Sequence, residues 1–467
     1  MEQTYRDSYQ RTHLIGALLE KFDELLNERA VVSTAGRVMS RRKMGKVLFF
    51  NLADGEGNIQ VFADISGLGQ EEFSRLSNDV RIGDIVGVSG IVFKTRTEEK
   101  TIKCQSFSLL TSCLRSLPEK FHGLSDVETR YRQRYLDLIV NAETRNVFRK
   151  RSHIIKLMRK HLESNGFMEV ETPIFQKNPC GASANPFVTH HDAKDIDLYL
   201  RISPETFLKQ LIVGGMDRIY EIGKNFRNEG VDASHLQEFT MLEFYASYWN
   251  YCDNIEFVKW LIQQVLLGVM GSLELEYQGM SFDFRQWQTV EYRDLVLNDC
   301  GIDILNFETV DGLLAEITKQ GVALGEIDPG ISLGSLIDKL YKRVSRPRLI
   351  QPTVLLHHPA VLIPLARPND QDPRVIDAFQ ILVNGWEIAK GYSELGDPIL
   401  QRRLLEDQLA LRHQGDSEAM FVDTDFLTSL EYGMPPVSGV GIGIDRLTAI
   451  ATNQRNLADV VLFPLMG

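Results

Sequence analysis

The chain has 467 residues, 43% hydrophobic and 24% charged, which is enough for two to four domains at ~100–200 residues each and excludes a disordered or fibrous chain. Its longest apolar runs, such as the one at 265–270, fall short of the ~18 residues that span a bilayer. A net charge of −12 counts against a polyanionic partner, yet basic residues are concentrated locally: Arg37, Arg41, Arg42, Lys43 and Lys46 face Asp54 alone within 31–55, and residues 116–160 carry a basic surplus of six. The opening MEQTYRDSYQ lacks the basic-then-apolar pattern of a secretory leader. Five cysteines without a C-x-x-C speak against a disulfide framework or a zinc site and for a reducing cytoplasm.

In chain order, residues 1–30 hold one expected amphipathic helix over 11–28, with Leu14, Leu18, Phe22 and Leu25 at helical spacing. From Val31 the period changes to two, and five strands follow within 31–115: VVSTAGRVMS, KVLFFNLAD, NIQVFAD, DIVGVSGIVF and TIKCQSFSLL. D-G-E-G-N is the turn between the second and third, and a short helix over 70–76 separates the third from the fourth. This order suits a small Greek-key barrel of the OB type, whose exposed face often takes oligonucleotides, although another five-stranded barrel is still open. With Leu48, Phe50, Leu52, Ile59 and Val61 facing inward, Phe49 and Gln60 point outward near Arg42. Such a surface stacks and hydrogen-bonds unpaired bases, or else Phe49 packs on a neighbouring domain.

Residues 116–467 form a second, larger domain that begins with a basic connector. Val147, Phe148, Ile155, Met158 and Leu162 mark a helix closed by Asn165-Gly166. FMEVETP, YLRIS, RIYEIG, FTMLEFYAS, AFQILVNGWEIAKGYSEL and SGVGIGIDRL read as strands joined by several hairpin-length links, and 291–345 as a mainly helical insertion. An α+β domain on an antiparallel sheet is expected.

Three clusters carry chemistry. Phe226-Arg227-Asn228-Glu229, then His235 and Glu238–Glu243, can hold a nucleotide: arginine pairs with phosphate, phenylalanine stacks on a base, and glutamate accepts from an amine. In Gly439-Val440-Gly441-Ile442-Gly443-Ile444-Asp445-Arg446 the glycines permit close backbone approach, and Arg446 at a helix start reaches a phosphate. This is neither the dinucleotide fingerprint nor a Walker A loop. The third cluster is acidic: Glu205, Glu243, Glu387 and Glu394 lie among apolar strand residues, where a buried carboxylate needs a cation or a donor. Each cluster alone also fits turns and surface ion pairs.

Together with KFHGLSDVETRYRQRYLDL, GFMEVETP, GASANPFVTHHDAKDIDLYLRISPE, FRNEG, EFTMLEF, GYSEL, LEYGMPP and GIGIDRL, these clusters resemble the three motifs of class II aminoacyl-tRNA synthetases. The lysyl family is the best match, from about residue 31 to the C-terminus. The resemblance implies an OB barrel that reads the anticodon of tRNA(Lys), a catalytic antiparallel sheet, and a homodimer formed around Arg145–Pro173. It implies ATP and Mg2+ as cofactors and L-lysine as the amino acid. It makes Arg227 and Arg446 the catalytic arginines, Arg227 on the α-phosphate and the lysine carboxylate, Arg446 and His235 on the outer phosphates. Phe239 and Glu229 would take adenine, and Glu387, with Gln380 and Glu394, the metal. Lysine would lie among Gly181, Glu205, Glu243, Tyr245, Tyr392 and Glu394; Arg42, Phe49, Gln60 and Glu99 would read the anticodon.

Three positions depart from the family pattern: Gln380 stands for glutamate, Lys390 for asparagine and Ser234 for arginine. Alternatives are a related synthetase for aspartate or asparagine, a lysine-activating enzyme that modifies a protein, and an RNA-binding paralogue with impaired catalysis.

Overall fold

The computed structural model describes residues 5–118, 124, 126–230, 232–328, 330–416 and 418–466. The start of the basic connector, 119–123, lies outside them. The chain divides into two compact units, 1–125 and 126–467.

In the first unit, strands β1 (Val31–Met44), β2 (Val47–Ala53), β3 (Asn58–Asp64), β4 (Ile85–Lys94) and β5 (Lys100–Thr111) close a barrel in the order β1-β2-β3-β5-β4. This is the expected five-strand reading, with the helix Gln70–Asp79 between β3 and β4. The 14-residue β1 pairs with both β2 and β4 and bends at a bulge between Val38 and Ser40. At Gly90 a Cβ would stand 1.9 Å from the Lys103 carbonyl oxygen, so no side chain fits where β4 and β5 shift register. Leu48, Phe50, Leu52, Ile59, Val61 and Ala63 fill the interior. The expected single N-terminal helix is two short ones, Ile15–Glu20 and Phe22–Glu28, meeting at Lys21. Their apolar stripe of Ile15, Leu18, Phe22 and Leu25 joins the barrel core, with Ile15 taking the buried place expected of Leu14.

The second unit adds β6 (Met168–Glu169), β7 (Phe175–Gln176), β8 (Val188–His191), β9 (Ile196–Leu200), β10 (Arg218–Phe226) and β11 (Glu238–Ser247). After these come β12 (Glu274–Tyr277), β13 (Met280–Asp283), β14 (Gln288–Glu291), β15 (Thr353–Leu356), β16 (Ala378–Val383), β17 (Trp386–Ser393) and β18 (Val437–Gly443). Eight of them form the sheet β14-β15-β16-β17-β18-β11-β10-β6. Its central pairings are antiparallel, as expected, while the outermost ones, β14/β15 and β10/β6, are parallel. FMEVETP contributes only the two residues of β6, and of YLRIS only Tyr199 and Leu200 are strand, at the end of β9 in a separate sheet, β7-β9-β8.

One face of the large sheet is covered by the helices Ala142–Ser164 and Tyr251–Met270. Ile154, Met158 and Leu162 meet Val258, Leu261 and Val265 over Leu242, Phe244, Val440 and Ile442. The segment between β14 and β15 is mainly helical, with a core of its own around Tyr292, Leu313, Leu336 and Tyr341. On the opposite face the helices Glu205–Val213 and Thr424–Glu431 cover only the strand ends around Tyr245, Val437, Ala378 and Tyr392, and a cavity stays open beside them.

Candidate active site

Strand alternation builds the floor of a cavity of about 1020 Å³. Along β11, Phe239, Met241, Glu243 and Tyr245 line it, while Leu242, Phe244 and Ala246 enter the core. Along β18, Gly439, Gly441 and Gly443 line it, while Val440 and Ile442 enter the core. A Cβ on Gly439 would stand 2.3 Å from the Tyr245 ring and 2.5 Å from Glu394 Oε1. The bare strand makes room for side chains reaching over it from β11 and β17.

A β-bulge sets the third wall. Register between β16 and β17 slips at Ile381/Leu382, so Gln380 faces Lys390 but Leu382 faces Glu387. Ile388 and Ala389 both enter the core, which turns Glu387 to the cavity side with Lys390, Tyr392 and Glu394. Every residue expected in the amino-acid and nucleotide sites lines this one cavity.

At the acidic end, Glu205, Glu243 and Glu394 are each buried. Ser203 Oγ donates to Glu243 Oε1 (2.9 Å), and the Tyr392 hydroxyl lies 2.7 Å from each Glu205 oxygen. Sequence reasoning missed Lys209, one turn along from Glu205 on the helix Glu205–Val213. It is fully buried, 2.6 Å from Glu205 Oε1 and ion-paired with Glu394 Oε2. Its signal was the Glu-x-x-x-Lys spacing of PETFLK, which puts both side chains on one helix face. Burial would lower the Lys209 pKa, but Glu205 and Glu394 hold it well above the usual value. Burial, then the repulsion among Glu205, Glu243 and Glu394, raises Glu394 well above the carboxylate range even against Lys209.

Burial and the Glu205 charge push Glu243 up to about 8, while Ser203 and Arg201 pull the other way and Glu221 adds to the rise. Glu243 therefore keeps its proton near neutrality. An incoming ammonium favours the carboxylate, so below pH 8 binding expels a proton, and affinity should rise by up to ~10-fold per pH unit as pH approaches 8. Titration calorimetry of L-lysine between pH 6 and 8 in buffers of different ionisation enthalpy measures this. A flat affinity with buffer-independent heat would exclude the linkage.

At the other end, the Arg227 guanidinium lies 5.1 Å from the centre of the Phe239 ring, and its buried Nε has no hydrogen-bond partner. Arg446, in the first turn of the helix Ile444–Ala451, donates to the carbonyls of Glu387 (3.0 Å) and Ser234 (3.4 Å). His235 Nδ1 is 2.8 Å from the Asp232 carboxylate, to which Ser234 Oγ also donates. Glu229 lines the same end, joined there by Lys339, Lys342 and Arg346 of the helical insertion, which sequence reasoning did not foresee.

The metal set needs one correction. Glu394 is ion-paired with Lys209, and seven residues of extended strand hold it roughly 20 Å from Glu387, so the two cannot share an ion. Gln380 does meet Glu387: its Nε2 donates to Glu387 Oε2 at 2.8 Å, while its buried Oε1 has no partner. Burial would raise the Glu387 pKa, but Lys390 and then Arg446 outweigh it and keep Glu387 ionised. Among the described residues no group of three or more His, Cys, Asp or Glu could hold a metal. One carboxylate and one free amide oxygen fit a single hard cation shared with nucleotide phosphates.

On the barrel, cross-strand register puts Arg42 opposite Phe49, Phe49 opposite Phe62 and Phe62 opposite Lys103. The Phe49 and Phe62 rings are 5.2 Å apart, and Phe93 lies 5.7 Å from Phe62. In the adjacent row, Gln60 stands opposite Asn51 and accepts from Thr101 Oγ1 (3.0 Å). Glu99 is exposed in the turn before β5.

An antiparallel sheet with an arginine-flanked cavity, together with an OB barrel, is the plan of a class II synthetase. Residues 126–467 match the family described as tRNA synthetases class II (D, K and N), and 32–110 match the OB-fold nucleic acid binding domain. Curated relatives named Lysine--tRNA ligase are similar along nearly the whole chain. That of Pelotomaculum thermopropionicum is 44% identical over 99% of this chain and 91% of the relative. That of Pasteurella multocida is 43% identical over 99% and 93%, and that of Halalkalibacterium halodurans 44% over 98% and 92%. The chain belongs to the lysine–tRNA ligase family of class II tRNA synthetases.

Proposed function

We infer that the protein attaches L-lysine to tRNA(Lys) in two steps at this cavity. The observation that carries the reading is the acidic closed end: buried Glu205 and Glu394 flank the one resident ammonium, and buried Glu243, protonated near neutrality, has a proton to give up to an incoming cation. Lys209 alone would suit an aspartate side chain, but Glu205 and Glu394 already neutralise it, so what is left favours a cationic amino acid. Lysine-dependent ATP–pyrophosphate exchange tests this. Exchange driven by aspartate or asparagine, or none in folded protein, would replace it with one of the rival readings.

In the first step a lysine carboxylate oxygen bonds to the α-phosphorus of ATP and the bond to pyrophosphate breaks, giving lysyl-adenylate. A terminal ribose hydroxyl of the tRNA then attacks the activated carbonyl and AMP leaves. No covalent enzyme nucleophile is needed; orientation and charge neutralisation supply the catalysis. Arg227 is the residue for the α-phosphate and the amino-acid carboxylate, and Arg446 and His235 for the outer phosphates. Phe239 offers a stacking face for adenine beside Glu229, and Gly181, Glu243, Tyr245 and Tyr392 shape the amino-acid pocket. Magnesium, when bound with ATP, neutralises phosphate oxygens, and Glu387 and Gln380 are the groups that would hold it.

Gln380→Glu adds a charge to that donor set and should lower the magnesium concentration for half-maximal exchange, whereas Glu387→Gln should nearly abolish exchange. Magnesium titrations of both variants check this, and superimposable curves for wild type and Gln380→Glu would remove Gln380 from the set.

For the barrel we infer anticodon reading by Arg42, Phe49, Gln60 and Glu99, supported by the basic and aromatic row on one face. Phe49→Ala should lose ~1–3 kcal/mol of base stacking, raising the KM for tRNA with exchange intact. A parallel fall in both activities would make Phe49 a packing residue.

A homodimer is supported by the exposed apolar residues Met168, Ile174 and Phe175, in and beside the Arg145–Pro173 segment. Cytoplasmic residence is supported by five free cysteines. Among the described residues no helix is long and apolar enough to cross a membrane.

A further inference from the structure

The closed end of the cavity already contains a cation of this chain. Lys209 Nζ is 2.6 Å from Glu205 Oε1, ion-paired with Glu394 Oε2, and 5.6 Å from the ring centres of both Tyr392 and Phe426. Glu205 has Lys209 on Oε1 and shares the single proton of the Tyr392 hydroxyl, which lies 2.7 Å from each of its oxygens. Both oxygens of Glu394 are buried without a hydrogen-bond partner, but only Oε2 is ion-paired with Lys209; Oε1 lies over Gly439, where a Cβ would come within 2.5 Å of it.

Resting on the lysine reading of the cavity, we propose that Lys209 is the specificity-determining residue that restricts this subsite to a primary ammonium. It takes Oε1 of Glu205 and Oε2 of Glu394, and leaves Oε1 of Glu394 open to the side-chain cation of the substrate.

The reasoning is geometric. An alkylammonium is a compact point charge, satisfied by one carboxylate oxygen and neighbouring acceptors. A guanidinium is a planar fork whose strong mode is two parallel N–H bonds to both oxygens of one carboxylate. With Oε2 of Glu394 held by Lys209, that mode is closed to it. The resident ammonium also repels a second cation from the Oε2 side, which sets how deep the substrate side chain can reach. Lys209 touches no reacting atom and acts by positioning Glu394.

The test uses the full chain with Lys209→Met and with the pair Lys209→Met/Glu205→Gln. The pair removes one charge of each sign and so leaves no uncompensated buried charge. Binding of L-lysine and L-arginine is measured by calorimetry, and inhibition of exchange by the decarboxylated forms, 1,5-diaminopentane and agmatine. In wild type, lysine and 1,5-diaminopentane should bind far better than their guanidinium counterparts. In both variants the lysine-to-arginine ratio should fall by on the order of tenfold or more, and methylammonium added to Lys209→Met should restore it in part.

An unchanged ratio in the paired variant would overturn the proposal, as would agmatine inhibiting wild type as well as 1,5-diaminopentane does. Absence of lysine-dependent exchange in wild type would instead overturn the lysine reading itself, so the two failures are distinguishable.

Discussion

Glu394→Gln should weaken lysine binding by ~2–5 kcal/mol, the usual cost of removing one partner from a buried charge pair, while ATP binding stays unchanged. Two effects add in the same direction. The substrate ammonium faces a neutral amide, with one acceptor oxygen replaced by an NH2 donor, and Lys209 loses one of its two carboxylate partners. The Gln side chain keeps the volume, so the cavity beside Gly439 is neither emptied nor overfilled. Calorimetric titration with L-lysine and with ATP separates the two ligands. Exchange kinetics with unaltered KM and kcat for lysine would take Glu394 out of the amino-acid pocket.

Arg227→Ala should lower kcat/KM for exchange by ~10²–10³-fold, the range seen when one pre-organised donor to a developing charge is removed. Its buried Nε lacks a partner and its guanidinium rests over Phe239, so its donors stand ready for a ligand instead of being spent on the protein. Arg227→Lys should recover only a small part of the loss, because an ammonium keeps the charge but not the two-pronged geometry. Single-turnover formation of the adenylate at saturating ATP and lysine isolates the chemical step. Wild-type rates in Arg227→Ala would place the phosphate contact elsewhere.

Local periodicity carried much of the architecture. The alternation at Leu48, Phe50 and Leu52 sufficed to place Phe49 outside the barrel, because a strand with one buried face tolerates no slip of register. Phe239, Glu243 and Tyr245 shared a face for the same reason, and the glycines of β18 marked where backbone had to be approached closely. The N-terminal helix and the two-residue β6 were misjudged in extent, since the ends of elements depend on what packs against them and not on their own pattern.

Residue types and their spacing along the chain thus determined the barrel and the antiparallel sheet, and marked the three clusters that the cavity gathers; the resemblance supplied most of its other members. Two features of the site required the folded molecule. The bulge at Ile388 brings Glu387 and Lys390 to one side of β17, whereas strict alternation would have separated them. Lys209 was legible as a helical partner of Glu205, but its second contact, Glu394, arrives from a strand far along the chain. Only tertiary packing brings that strand over the helix. A buried ammonium takes whichever carboxylates the fold delivers, and no local rule names them.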